Sequence, residues 1–199
     1  MSASEEKARL RADVLARRDA LDADERARMS LAAADHAEPH LAFTPGTIVS
    51  GFLPIRSEID ILPLMKRLAA RGARLCLPAI LDRQTIAFRA FDPDDTLVST
   101  GFGTSGPGPE AEVLDPQILL MPLAVFDTQG NRIGYGAGHY DRAIARLLAK
   151  GMTPGLIGFA FSCQEVDHVP AEGHDRPLEA VVTERGFREF TGRSFDRKD

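Results

Sequence analysis

The segment Arg132–Arg142 (RIGYGAGHYDR) combines three alternate glycines with side chains that could bind an anion or a metal ion. The apolar run Ile118–Val125 before it predicts a buried strand, and the amphipathic run Arg142–Lys150 after it predicts a helix. In the order strand, glycine loop, helix, free backbone N–H groups and the positive end of the helix dipole converge where a phosphate can bind. We therefore expect phosphate binding, with Asp141 as an oxygen ligand for Mg²⁺ and the flanking arginines neutralising the remaining charge.

A purely structural role for these glycines is the alternative. Alternate glycines also form β-bulges or let two elements pack closely, and the flanking arginines could be solvated. The spacing matches neither GxGxxG nor GxxxxGK[ST], which excludes a standard dinucleotide fingerprint and a Walker P-loop. Spacing alone leaves both interpretations open.

The elements that would carry this loop alternate between helical and extended patterns. Residues 47–80 read as strand, helix and strand, which predicts a right-handed parallel crossover, whereas the short link Asp82–Gln84 predicts an antiparallel hairpin. We therefore predict an α/β fold, a three-layer α/β/α sandwich around a mixed, mostly parallel sheet, with an N-terminal helical pair. Residues 1–199 would form one domain, with 91–117 as a long surface excursion and 193–199 as a frayed tail. The predicted helices are Ser4–Arg18, Asp22–His36 and Glu58–Ala70, capped by Ser57, and the other predicted strands are Thr47–Leu53, Arg74–Ile80, Thr85–Phe91, Gly155–Phe161 and Ala180–Thr183.

The composition argues against several classes of partner. The chain has 199 residues and a formal net charge of −5, and its basic residues are mixed among acids, so nucleic acid is not an expected partner. No apolar run approaches the roughly 18 residues that a membrane span needs, and the N-terminus lacks an apolar signal core. Cys76 and Cys163 lie far apart in apolar contexts, which predicts buried free thiols. We expect a cytoplasmic monomer that binds neither nucleic acid nor membranes.

Three motifs around the glycines carry a more specific signal. Met121–Asp127 (MPLAVFD), Gly130–Gly136 (GNRIGYG) and Tyr140–Arg142 (YDR) together resemble the 5-formyltetrahydrofolate cyclo-ligases, also called 5,10-methenyltetrahydrofolate synthetases. The resemblance extends along nearly the whole chain. It implies a C–N bond-forming ligase that uses Mg-ATP to cyclise 5-formyltetrahydrofolate, with or without a polyglutamate tail, to 5,10-methenyltetrahydrofolate. Phosphoryl transfer to the formyl oxygen would give an iminium phosphate, which nitrogen 10 attacks before phosphate leaves, with ADP and phosphate as the products.

The resemblance also implies roles for individual residues. ATP would contact Lys7, Arg11, Arg132, Ile133, Gly134, Tyr135, Gly136, Ala137, Gly138, His139 and Tyr140. The folate would contact Leu53, Glu58, Tyr135, Gly136, Ala137, Gly138 and His139. Arg132 and Tyr140 would act in catalysis, and Asp141 and Glu179 would ligate the metal.

Simpler interpretations compete with these roles. Lys7 and Arg11 could be solvated charges on one helix face, and Glu58 could be an ordinary first-turn helix residue. Leu53 could belong only to the core, and Asp141 could cap the helix that follows it.

The chain departs from the family pattern at two of these positions. His139 replaces an aromatic residue, and Glu179 replaces a shorter aspartate. These departures leave open a non-catalytic folate- or nucleotide-binding paralogue. A sugar-phosphate isomerase or deaminase on a similar sheet, which would use the same loop for a phosphoester, is a second alternative.

Overall fold

The computed structural model describes residues 3–94, 97–101, 104–172 and 175–190, so the predicted tail 193–199 lies outside the described residues. The helices are α1 (Ala3–Asp19), α2 (Ala23–Ala37), α3 (Leu62–Ala70) and α4 (His139–Ala149), with short 3₁₀ turns at Glu38–His40 and Ser162–Gln164. The strands are β1 (Ile48–Ser50), β2 (Arg74–Ile80), β3 (Ile86–Ala90), β4 (Val98–Gly101), β5 (Thr104–Gly106), β6 (Val113–Leu114), β7 (Ile118–Pro122), β8 (Val125–Asp127), β9 (Arg132–Ile133), β10 (Gly155–Phe159), β11 (Glu165–Val166), β12 (Ala180–Thr183) and β13 (Gly186–Glu189).

Eight strands of the described ranges form the main sheet, in the order β13-β12-β10-β7-β1-β2-β3-β6. The five central strands, from β12 to β2, run parallel. The hairpin β2–β3 and the edge pair β12–β13 are antiparallel. The predicted mixed, mostly parallel sheet is therefore confirmed, including the parallel crossover from β1 through α3 to β2.

Helices cover both faces of this sheet. The side chains of β7 alternate, so that Leu120 faces the helices α2 and α3 while Leu119 faces α4. On the first face Leu64 and Leu68 of α3 are completely buried, and on the second face α4 buries Leu147. The predicted three-layer architecture is confirmed, and α4 lies directly behind the glycine loop.

The first helix, α1, packs next to the glycine loop. Val14 of α1 packs against Val125 and Ile133, which belong to a small separate sheet, β11-β8-β9. Because Ile133 immediately precedes the glycines, this packing holds α1 against the loop. In the described part of the chain, no helix has the length and apolar character to cross a membrane. Cys76 and Cys163 are free thiols, as predicted, but Cys163 is only partly buried.

Two predicted helix starts are wrong. The third helix was expected to begin at Glu58, but it begins at Leu62, where the Asp60 Oδ1 accepts the Leu62 N–H at 2.9 Å. Pro63 explains the difference, because its ring would clash with a helical carbonyl four residues earlier and is tolerated only in the first turn. The helix expected from Arg142 instead begins at His139. Residues 91–117, expected as an irregular excursion, contain the short strands β4, β5 and β6.

Candidate functional site

The glycine loop leads into the first turn of α4, as predicted, but the strand before it is the short β9 of the small sheet, whereas the predicted strand Ile118–Val125 ends at Pro122. Gly136 and Gly138 have φ values of 96° and 64°, in the left-handed region that favours glycine. Gly138 is the N-cap of α4, and within the described residues no side chain caps this helix. The first N–H groups of α4 are therefore open to an anionic ligand, at the positive end of the helix dipole.

A cavity of about 410 Å³, here called the polar pocket, lies between this loop and α1. Four cationic side chains line it: Lys7, Arg11, Arg132 and Arg142. The backbone of the alternate glycines 134, 136 and 138 forms its floor, with the carboxylates of Asp141, Glu172 and Asp175 at its side. Cations, open N–H groups and absent β-carbons make this pocket suited to phosphates.

The cations of the polar pocket are held in place by hydrogen bonds. The Arg132 guanidinium donates to Asp141 Oδ1 at 2.6 Å, and its buried Nε has no hydrogen-bond partner among the described residues. Arg11 Nε donates to the Gly134 carbonyl at 2.8 Å. Lys7 lies 2.7 Å from a carboxylate oxygen of Asp175. Burial lowers the pKa of Lys7, but its hydrogen bonds to carboxylates outweigh burial and raise the pKa, which keeps the amine charged.

A second cavity of about 510 Å³, the apolar pocket, opens on the other side of the loop. It is built where the parallel strands β1, β2 and β7 end, which is the usual ligand-binding edge of such a sheet. Its lining is mostly apolar and includes Phe52, Leu53, Pro54, Ile55, Leu77, Pro78, Ile80, Ile86 and Pro122, with Glu58 as a carboxylate.

The glycine loop is the wall shared by both pockets. Gly134, Gly136 and Gly138 line the polar pocket, whereas the alternate residues Tyr135 and Ala137 line the apolar pocket. His139 and Tyr140 line both. The sequence pattern GYGAG thus presents bare backbone to one pocket and side chains to the other.

Two buried polar groups face the apolar pocket. Glu58 is only 7% exposed, and its Oε2 accepts the Ile55 N–H at 2.9 Å, while its Oε1 has no hydrogen-bond partner in the described ranges. Burial raises the pKa of Glu58, against the lowering effect of the nearby Tyr135 hydroxyl. The Tyr140 hydroxyl is also buried and lacks a partner among the residues described. Burial and the Glu58 carboxylate raise the pKa of Tyr140, so its hydroxyl stays protonated at neutral pH and can donate a hydrogen bond.

The structure does not bring Glu179 to the glycine loop, which corrects the predicted pairing with Asp141. Glu179 lines a separate cavity of about 270 Å³, with Ile144 and Leu148 of α4. Its N–H donates to the Leu156 carbonyl at 2.9 Å, so it lies where β10 and β12 begin, whereas the pockets lie where the parallel strands end. Among the described residues, no group of three or more His, Cys, Asp or Glu side chains is arranged to hold a metal ion.

Sequence reasoning missed one residue of the site, Arg18, and one contact of a predicted residue, His139. Arg18, in the last turn of α1, donates to Ser57 and to the Tyr135 hydroxyl. The spacing of Lys7, Arg11 and Arg18 was the available signal, because steps of four and seven residues place all three on one helix face. His139 was expected only at the ligand, but its Nε2 also lies 3.1 Å from the carbonyl oxygen of Arg83, in the turn between β2 and β3.

Comparisons with known proteins agree with the sequence resemblance. A family model described as the 5-formyltetrahydrofolate cyclo-ligase family matches residues 3–184. The chain is 31% identical to the 5-formyltetrahydrofolate cyclo-ligase of Escherichia coli K12 over 173 residues, which cover 84% of this chain and 94% of that protein.

Solved structures share the fold. The NMR structure of Aquifex aeolicus 5,10-methenyltetrahydrofolate synthetase has a TM-score of 0.78 at 28% identity and covers 96% of this chain and 97% of its own. The corresponding synthetase of Mycoplasma pneumoniae, at 22% identity, has a TM-score of 0.72 and coverages of 89% and 98%, a likeness of fold. Since the family model spans most of the chain and the E. coli relative matches at this identity, the chain belongs to the 5-formyltetrahydrofolate cyclo-ligase family.

Proposed function

We propose that this protein cyclises 5-formyltetrahydrofolate to 5,10-methenyltetrahydrofolate and couples the reaction to cleavage of Mg-ATP to ADP and phosphate. The observation that carries the proposal is the shared wall. One short loop borders a cationic pocket on one side and an apolar pocket on the other, and the reaction requires a phosphate donor and a folate to meet. The family match favours this reaction over an isomerase or deaminase of sugar phosphates.

The polar pocket is the proposed ATP site. Lys7 and Arg11 extend from α1 toward the phosphates, and Arg132 contributes a third positive charge from β9. The open N–H groups of the first turn of α4 add hydrogen bonds that need no side chain. The left-handed Gly138 allows the phosphate chain to approach these N–H groups without a β-carbon in between.

Asp141 is the proposed protein ligand for magnesium. Its carboxylate lines the polar pocket in the first turn of α4, next to the expected position of the phosphates. Mg²⁺ commonly takes one or two carboxylates and completes its shell with phosphate oxygens and water, which a single aspartate satisfies. When bound, the ion would neutralise charge on the phosphate oxygens. We leave Glu179 out of this site because it lines a different cavity.

The apolar pocket is the proposed folate site. Leu53 and its apolar neighbours offer a surface for the flat pterin ring, whose burial is favourable. The unpartnered Oε1 of Glu58 can accept a hydrogen bond from a ring N–H or amino group of the pterin. A ligand with a hydrogen-bond donor at the matching position would satisfy this buried oxygen and would bind more tightly than a ligand without one.

The proposed chemistry takes place at the shared wall. The formyl oxygen attacks the γ-phosphorus and ADP leaves, which converts a poor electrophile into an iminium phosphate. Nitrogen 10 then forms a bond to the formyl carbon and loses its proton, and the carbon–oxygen bond to phosphate breaks. Arg132 stabilises the charge on the transferred phosphoryl group, and the Tyr140 hydroxyl, bordering both pockets, donates a hydrogen bond to the bridging oxygen.

The proposal extends to the working form of the protein. One eight-stranded sheet runs through the described residues, which supports a single-domain enzyme, and we propose that it works as a monomer. Light scattering after size-exclusion chromatography tests this part, with a dimer as the contradicting result. Assays on mono- and polyglutamylated substrate test whether the tail contributes to binding.

A coupled omission experiment tests the function. The protein is mixed with 5-formyltetrahydrofolate, ATP and Mg²⁺, and the near-ultraviolet absorbance of the methenyl product is followed. We expect product to accumulate only in the complete mixture. Absence of product, or equal product without ATP, would refute the proposal.

A further inference from the structure

Arg18 is a charged residue buried at the end of α1. Its exposed fraction is 1%, which places it among the largest fully buried side chains of the described residues. Burying a guanidinium is costly unless hydrogen bonds and nearby charges compensate for the lost water. The hydrogen-bond partners of Arg18 therefore indicate its structural role.

The Arg18 guanidinium joins three parts of the chain. Its Nε donates to Ser57 Oγ at 2.9 Å, and its Nη1 donates to the Tyr135 hydroxyl at 2.5 Å. Its Nη2 lies 3.8 Å from an oxygen of Asp19, which also accepts a hydrogen bond from Ser57. The planar fork thus connects α1 to the segment that carries Glu58 and to the glycine loop.

Both connected segments are walls of the apolar pocket. Tyr135 lines the pocket from the glycine loop, and Glu58, adjacent to Ser57, lines it from the segment between β1 and α3. Fixing Tyr135 and Ser57 to one guanidinium fixes the spacing between the walls. The Tyr135 hydroxyl accepts the hydrogen bond from Arg18. Oε1 of Glu58 has no hydrogen-bond partner in the part of the chain described.

We propose that Arg18 is a positioning residue for the folate, which sets the distance between the Tyr135 wall and the Glu58 wall of the apolar pocket. This inference rests on the proposed function and assigns to α1 a second task. Arg11, on the same helix, holds the Gly134 carbonyl and so supports the polar pocket, whereas Arg18 supports the apolar one. Loss of Arg18 should therefore weaken folate binding without weakening ATP binding.

The test uses three variants: Arg18→Lys, Tyr135→Phe and the double variant that combines them. Arg17→Lys is the control. Lysine keeps the charge but lacks the fixed fork that reaches both Ser57 and Tyr135. Tyr135 is 39% exposed, and phenylalanine keeps its ring and removes only the hydroxyl, so the test remains valid even if the Arg18 variant does not fold. Arg17 is the neighbouring arginine, is exposed, and controls for an Arg-to-Lys change on α1. The measurements are KM for each substrate, kcat, and amide hydrogen exchange of residues 134–138 in the free protein.

We expect Arg18→Lys and Tyr135→Phe each to raise the KM for 5-formyltetrahydrofolate about tenfold, the effect of one charge-assisted hydrogen bond. The KM for ATP should change less than about twofold, and the double variant should resemble the stronger single variant, because both remove the same bond. Equal changes in both KM values, additive effects, or an Arg17→Lys variant that matches Arg18→Lys would overturn the inference. If the wild-type protein forms no product, the proposed function fails, and hydrogen exchange then decides: faster exchange of the loop in Tyr135→Phe supports the positioning role, and unchanged exchange refutes it.

Discussion

Replacing Gly138 by alanine should strain the backbone that leads into α4. Gly138 has φ 64° and ψ 17°, a left-handed conformation that costs an L-residue about 1–2 kcal/mol. The new β-carbon would also lie 2.8 Å from an Nη atom of Arg142, a guanidinium that donates to the Ala137 carbonyl at 2.5 Å and to the Gln84 carbonyl at 2.6 Å. Displacing that guanidinium costs about 0.5–1.5 kcal/mol for a lost hydrogen bond, which brings the sum to about 2 kcal/mol. We expect Tm to fall by about 4–8 °C.

Two glycine variants separate strain from damage to the site. Gly151→Ala, at φ 80° beyond the end of α4, meets no described atom within 4 Å and should lose stability through its backbone alone, with an unchanged KM for ATP. Gly134 is not left-handed and is equally open among the described atoms, so Gly134→Ala should shift Tm by less than about 1 °C. Gly138→Ala should lower Tm. Because its strained backbone belongs to the loop that lines the polar pocket, it should also raise the KM for ATP about tenfold. Thermal unfolding by circular dichroism and steady-state kinetics provide both values. Equal Tm values for the Gly138 and Gly134 variants, or an equal rise in KM for Gly151→Ala, would refute the reasoning.

The remaining predictions concern the charged groups of the two pockets. Lys7→Ala and Arg132→Ala should each raise the KM for ATP more than the KM for 5-formyltetrahydrofolate, and the opposite ranking would mean that these residues bind the folate. Asp141→Asn should increase the Mg²⁺ concentration needed for half-maximal rate at fixed ATP, and an unchanged Mg²⁺ titration would argue against this ligand. Burial raises the pKa of Glu58 above 4.5, so the folded state binds this proton more tightly than the unfolded state and loses stability as pH rises through that range. Glu58→Gln removes this loss, so its stability relative to wild type in urea unfolding should increase as the pH rises above about 4.5, and a constant difference would contradict the assignment.

Much of the fold was predictable because its signals are local. The strand Arg74–Ile80 was predicted at its observed bounds, and the helix predicted from Asp22 starts there, with Asp22 as its N-cap accepting the Asp24 and Glu25 N–H groups. The predicted start of α3 is wrong because Ser57 is a favourable cap residue, but Pro63 restricts where that helix can begin.

The residues of the site were likewise predictable only where they are neighbours in the sequence. The loop could be recognised because its glycines, Tyr140 and Asp141 are neighbours in the sequence. The contact between Arg18 and Tyr135 joins residues 117 positions apart, and a buried arginine looks in a sequence like the solvated ones beside it. Glu179 shows the reverse error, since its place in a sequence motif does not reveal at which end of the sheet the strand brings it.

The central claim is that the two pockets meet so that a phosphoryl group passes from ATP to the formyl oxygen. The most direct measurement uses 5-formyltetrahydrofolate labelled with ¹⁸O in the formyl group, with mass spectrometry of the phosphate released in a single turnover. The account predicts that the inorganic phosphate carries the label in proportion to the methenyl product formed. Unlabelled phosphate, with the label recovered in water, would contradict it.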